Sequence, residues 1–284
     1  MYVLLLSISC SVAVSVLLKL ARSWQLDLGQ AIAINYVAAT ILTLSLLQPQ
    51  PHTLLNTPNT WGLLSALGLL LPMVFLVMAM AVRHAGIAIS DAAQRLSLLV
   101  PLVAAFLVFD EVLTNRKLLG MSLAFAALSC LLIKKGRFNP TQARGLIIPL
   151  TLFGVWLGYG IIDILFKQLA RTGGHFATSL LGAFVLASVF MILVLLFKRT
   201  RWSGRNVLAG SLLGLLNFGN IYFYIRAHQL FPANPSLVFA SMNIGVICAG
   251  TLIGAAVFRE RLSKTNLVGI ALAIVSMLIL FSAA

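Results

Sequence analysis

Acid is the scarcest chemistry in this chain: six aspartates and glutamates in 284 residues stand against 20 lysines and arginines, and charged residues of both signs make up only 9%. A soluble domain carries about 25%, and no core of this size hides from water a composition that is 61% hydrophobic. A bilayer removes the difficulty, because lipid solvates the outer helix faces. Cysteine is nearly absent too. Cys10, Cys130 and Cys248 fall in apolar stretches without metal-ligand spacing, so they read as packing residues, and neither a disulfide framework nor a zinc site is expected. There is no His-Glu-x-x-His motif and no paired aspartates in a Gly-Asp setting. His52, His84, His175 and His228 fall in connections or at the ends of apolar runs, which argues against an intramembrane enzyme and against any metal or cofactor. The net charge of +14 has no aromatic-basic platform or RNA signature beside it, which excludes nucleic acid as a partner. The apolar start, Met1 to Leu18, lacks the basic n-region and cleavage site of a secretory signal and reads as a retained span.

What the chain has instead is long apolar runs. A helix needs about 20 apolar residues to cross a ~30 Å hydrocarbon layer, and such windows recur near 2–21, 29–47, 61–82, 86–109, 117–134, 145–169, 175–197, 206–226, 235–258 and 265–283. Trp24, Trp61 and Trp202 fall at window ends, where an indole prefers the interface. Sliding the chain by 149 residues lays Leu20-Ala21-Arg22 on Leu169-Ala170-Arg171, Glu111 on Glu260, Leu113 on Leu262 and Gly120 on Gly269. Each half then holds five spans, and an odd number turns the second copy upside down in the membrane. The expected fold is therefore an all-α polytopic membrane protein of ten transmembrane helices, built as two inverted five-helix repeats over 1–134 and 145–284.

The five-plus-five organisation, Lys19 near the end of span 1, Pro101 inside span 4, and the run Phe258-Arg259-Glu260-Arg261-Leu262 followed by Gly269 resemble the EamA-type drug/metabolite transporter superfamily across the whole chain. The resemblance implies a secondary transporter exporting a small metabolite such as an amino acid by alternating access, as a monomer or homodimer in the inner membrane. Two departures stand out: Gly250 occupies the place where Pro101 would repeat, and span 1 carries no carboxylate of the kind related multidrug proteins use for cations.

Connections after odd-numbered spans hold Lys19, Arg22, Arg83, Lys134, Lys135, Arg137, Arg144, Lys198, Arg199, Arg201, Arg205, Arg259, Arg261 and Lys264; those after even spans hold Arg116, Lys117, Lys167, Arg171 and Arg226. Fourteen against five places the odd connections in the cytoplasm and both termini outside, whereas the resemblance implies cytoplasmic termini.

Ionisable residues within spans cost about 2.5–3.5 kcal/mol each at a helix centre and so face the bundle interior or a wet cavity. Arg95 is the deepest charge, on one face of span 4 with Ser90, Asp91, Gln94 and Ser97. Asp91 and Arg95 are spaced i, i+4 and can pair, either as a structural ion pair or as a substrate or gating element. Span 6 repeats the logic with Trp156, Tyr159, Asp163 and Lys167, where Asp163 and Lys167 again form an i, i+4 pair. Asp163 is the span carboxylate best placed to exchange a coupling proton, although a salt bridge to Lys167 would tie it up as a gate. Ser7, Ser11 and Ser15 lead to Lys19 and read first as a packing stripe. Asn35 and Tyr36, Asn217 and Asn220 with Tyr224, and Asn243 either line a cavity or fasten helices. Gly154, Gly158, Gly250 and Gly254 read as close-packing surfaces. Lys19, Asp91, Arg95, Asp163 and Lys167 sum to +1, which favours a zwitterionic or anionic substrate over a lipophilic cation. A lipid-headgroup flippase or multidrug efflux protein of the same fold is the alternative. Spans 5 and 10 carry the fewest polar groups and are expected at the periphery, with spans 1–4 and 6–9 around the path.

Overall fold

The computed structural model describes residues 2–50, 58–85, 87–132, 146–172, 176–258 and 262–283. Its elements are α1 (Tyr2–Ser23), α2 (Leu28–Leu47), α3 (Pro58–Ala85), α4 (Ile87–Leu96), α5 (Leu99–Leu107), α6 (Asn115–Leu132), α7 (Ile147–Arg171), α8 (Phe176–Phe197), α9 (Gly204–Leu230), α10 (Pro235–Phe258) and α11 (Lys264–Ser282). Among the described residues there is no strand, and eight spans are long and apolar enough to cross a membrane. Of the expected spans α6 falls short of that measure, because it spends its first turn on Asn115, Arg116 and Lys117; the described stretch Tyr2–Leu18 of α1 is apolar. The protein is all-α and has the helices of a membrane-embedded chain.

Span 4 is not the continuous helix expected over 86–109. It breaks between α4 and α5 because Pro101 has no N–H to give the Ser97 carbonyl and its ring crowds that oxygen. The chain answers by tightening: Leu98 N–H turns to the Arg95 carbonyl (3.3 Å), Val100 N–H takes the Ser97 carbonyl (3.0 Å), and the Ser97 hydroxyl donates to the Gln94 carbonyl. Pro72, by contrast, lies inside an unbroken α3.

Helix pairs pack by exchange between the two halves. The α2 helix lies between α8 and α9, α3 between α7 and α8, and α1 against α9 and α10; α7 runs along α4 and α5. The α6 and α11 helices pack on one another and against α10, away from α2, α3 and α8. Side chains with no Cβ set the closest approach: a methyl at Gly214 would stand 2.7 Å from the Asn35 carbonyl oxygen, so α9 lies directly on the backbone of α2. The Gly158 surface is likewise closed by Val74, but Gly250, expected to pack tightly, has open space beside it.

Alternating helices give the bundle a basic face, with the connections 24–27 and 198–203, and an opposite face, with 108–114 and 231–234. On the basic face Gln30 ties the halves together. Its amide donates to Asp27 Oδ2 (3.1 Å) and the Arg201 carbonyl (2.9 Å), while its oxygen accepts from Ser203 N–H (3.2 Å) and Asn206 Nδ2 (3.0 Å). Asp27 also caps α2 through the N–H groups of Gly29 and Gln30, so this buried polar network leaves no donor of Gln30 idle.

Candidate functional site

The bundle places polar side chains in two groups, one towards each face. The first is built on α4, α7 and α2. One turn of α4 holds Asp91 and Arg95, with Arg95 Nε 3.5 Å from Asp91 Oδ1; the Arg95 side chain is 14% exposed and that of Asp91 45%. That distance is long for a hydrogen bond, and Arg95 Nε has no hydrogen-bond partner. Tyr159 of α7 is within electrostatic reach of Arg95 and Asp91, and Tyr36 of α2 is within reach of Tyr159. Tyr36 and its neighbour Asn35 are fully buried, yet neither the Tyr36 hydroxyl nor either polar atom of the Asn35 amide has a hydrogen-bond partner. A buried polar atom left unpaired costs about 1–3 kcal/mol, so Asn35 and Tyr36 hold unspent hydrogen-bonding capacity. Gln94 shares the α4 turn and is half-buried.

Trp156, expected as cavity lining, carries a hydrogen bond that serves the fold. Its indole N–H donates to the Leu96 carbonyl (3.0 Å), one of the acceptors freed by the break in span 4. Trp156→Phe removes that donor and is expected to lower the melting temperature in detergent by about 2–6 °C, as one unpaired carbonyl costs about 1–2 kcal/mol; thermal melts followed by circular dichroism check it.

The second group lies on α7, α9 and α10 towards the opposite face. Asp163 and Lys167 do not form the ion pair their spacing allows. The Asp163 carboxylate instead accepts from the Tyr224 hydroxyl of α9 (3.0 Å), and Lys167 donates to the Pro232 carbonyl (2.8 Å). Cross-helix partners win because α9 packs on this face of α7. Asn243 of α10 bonds back to the Phe239 carbonyl (3.1 Å) and also reaches Asp163. His228, assigned from sequence to a helix end, is indeed in the last turn of α9 but is 1% exposed, with its ring against Tyr224 and Phe239 and neither nitrogen hydrogen-bonded.

Beside this group the connection 108–114 makes a buried polar contact with three donors. Glu111 accepts from Lys117 Nζ (2.9 Å), the Ser236 hydroxyl (2.6 Å) and the Ser236 N–H (2.8 Å), so one buried carboxylate pairs an ammonium and caps the N-terminus of α10. Asp110, at φ 55°, turns the chain so that Glu111 N–H returns to the Ala105 carbonyl. Arg171 lies over the Phe109 ring (4.7 Å) and donates to the Phe109 carbonyl (3.3 Å). Sequence reading treated Glu111 as a mark of the repeat and Lys117 as a loop charge. The available signal was a helix opening on Pro235-Ser236 with no acidic residue in its own first turn.

Other expected site residues are dispersed. Asn220 receives the Ser7 hydroxyl on both its carbonyl and its amide oxygen (3.0 Å each) and so fastens α9 to α1. Asn217 is buried on the same helix. Lys19 is on α1, but its side chain lies outside the described residues. An apolar cleft of about 490 Å³ runs between α1, α9 and α10, lined by Ser9, Val12, Ala13, Val16, Leu216 and Ile253 among others; none of the site residues named from sequence lines it. Among the described residues no three His, Cys, Asp or Glu side chains are grouped to hold a metal ion.

Fold and composition together define a polytopic all-α membrane protein with polar groups buried between its helices. The chain belongs to one family with an uncharacterized protein of Haemophilus influenzae, to which it is 51% identical over 278 residues, 95% of this chain and 94% of the relative. No family model matches it. A crystal structure only 14% identical superposes with a TM-score of 0.73 over 100% of this chain and 96% of the other, a likeness of fold alone.

Proposed function

We propose that this protein is a secondary transporter of the EamA type, moving a small zwitterionic or anionic metabolite such as an amino acid across the inner membrane by alternating access, without enzymatic activity. The observation that carries the reading is Arg95: a guanidinium at membrane depth, loosely held by Asp91 and within electrostatic reach of Tyr159. Such a fork suits a carboxylate in two parallel hydrogen bonds, and the exposed Asp91 suits an ammonium. The packing supports two inverted repeats over 1–134 and 145–284. Under the 149-residue offset α1 corresponds to α7, α2 to α8 and α3 to α9, and the contacts α1 with α9, and α2 with α9, have their counterparts in α7 with α3, and α8 with α3. The 14-to-5 distribution of basic residues supports a cytoplasmic basic face with both termini outside.

Uptake of a radiolabelled metabolite panel into proteoliposomes, at two internal pH values, tests this. Accumulation of a zwitterion or anion supports it, and transport confined to lipophilic cations overturns it. The lateral apolar cleft favours a second reading, a lipid-headgroup flippase, for which fluorescent phospholipid scrambling in the same vesicles is the assay.

Proton coupling is assigned to Asp163. Asp163→Asn keeps size and hydrogen bonding but removes the exchangeable proton, so pH-gradient-driven accumulation is expected to fall to the level of empty vesicles while counterflow persists. Undiminished gradient-driven accumulation would remove Asp163 from the coupling step.

A further inference from the structure

The α7 and α9 helices meet in two polar rungs one helical turn apart. In the rung nearer the membrane centre a donor meets an acceptor, Tyr224 to Asp163. In the outer rung the ammonium of Lys167 faces the His228 side, and donors outnumber acceptors. Lys167 is 1% exposed, and of its three N–H groups one is used, on the Pro232 carbonyl. The Phe109 ring, 5.9 Å from its nitrogen, adds a weak cation contact. His228 is equally buried, lies within electrostatic reach of Lys167, and has both nitrogens unpaired. The carboxylates in the neighbourhood are already engaged, Glu111 by Lys117 and Ser236, and Asp163 by Tyr224. Arg171 adds a further cation at Phe109. Lys167 therefore has no carboxylate in direct contact, only Glu111 at electrostatic range and shared with Lys117, and a buried ammonium so poorly compensated is costly.

We propose that Lys167 and His228 form an oxyanion-binding subsite behind the 231–234 connection, taking a carboxylate or phosphate group through the spare Lys167 N–H groups and a His228 N–H. The Pro232 carbonyl stands at Lys167 in the closed arrangement, and the ligand's oxygen replaces it when that connection lifts. Anion binding and opening of this face are then one event. The inference stands on donor count and burial, independent of whether the protein transports a metabolite.

The experiment is a thermal-shift titration of the purified protein in detergent with sodium acetate and with sodium phosphate, against sodium chloride at equal ionic strength. Wild type is expected to gain at least about 2 °C, saturably, because a ligand that binds only the folded state stabilises it. Lys167→Met should melt no lower than wild type in chloride, as it removes a buried charge with no carboxylate in direct contact, and should lose the oxyanion shift; His228→Phe should weaken it. The same comparison in an Arg95→Gln background, which lacks the carboxylate site of the proposed function, isolates the shift that Lys167 and His228 supply. Response to acetate alone identifies a small carboxylate as the ligand, and response to phosphate as well identifies phosphate, of a solute or a lipid headgroup, as acceptable. No shift in the Arg95→Gln background, or a shift there that survives Lys167→Met, overturns the proposal.

Discussion

Glu111→Ala strips the protein of its most heavily used buried carboxylate and is expected to lower its melting temperature by about 10 °C or more, with most of it lost from the membrane fraction. The Glu111 side chain is fully buried and that of Lys117 8% exposed. The substitution leaves an ammonium, a hydroxyl and a helix N-terminus without their acceptor in one step. Breaking a buried pair from one side costs about 3–5 kcal/mol, against a total stability of about 5–15 kcal/mol for a typical domain. The double variant Glu111→Gln with Lys117→Met should recover most of the loss, since the amide oxygen still accepts from Ser236 and no charge is stranded. Membrane yield and thermal melts of the three proteins decide it. A Glu111→Ala protein that melts like wild type would show that the contact adds nothing to stability.

Arg95→Ala has the opposite profile: a folded protein that does not transport. The Asp91 side chain it leaves behind is 45% exposed and stays hydrated, so stability changes little. Removing one side of a desolvated charge-assisted pair costs about 2–5 kcal/mol, which is at least about a 30-fold loss of affinity for a substrate carboxylate. Transport in proteoliposomes, normalised to protein that elutes as a single species, separates the outcomes. Loss of folded protein would assign Arg95 to structure, and undiminished transport would remove it from the path.

Local spacing proved informative where the neighbouring helix offers no closer partner. Asp91 and Arg95 meet as their i, i+4 interval allows, on a face of α4 that remains partly open. The same interval in α7 misleads, because Tyr224 and the Pro232 carbonyl stand closer to Asp163 and Lys167 than those two stand to each other. Spacing along one helix states what can meet; the neighbour packed on that face decides what does. Trp156 shows the same limit. Its amphipathic ring reads as cavity lining until the break in span 4 supplies a carbonyl for it to cover.

By itself, the sequence determined the solvent and the class of fold. Apolar runs about 20 residues long force helices, because in lipid each backbone polar group must be paired within its own segment. It also determined how far each charge lies along its helix, since that depends only on position and a known rise. The tertiary structure decided everything that joins distant parts of the chain. Glu111 and Ser236 are separated by 125 positions and Asp163 and Tyr224 by 61. It also put His228 out of reach of solvent and set where span 4 breaks and which acceptors the break finds. Burial and pairing across helices depend on the packing of several faces at once, and no interval within one segment encodes them.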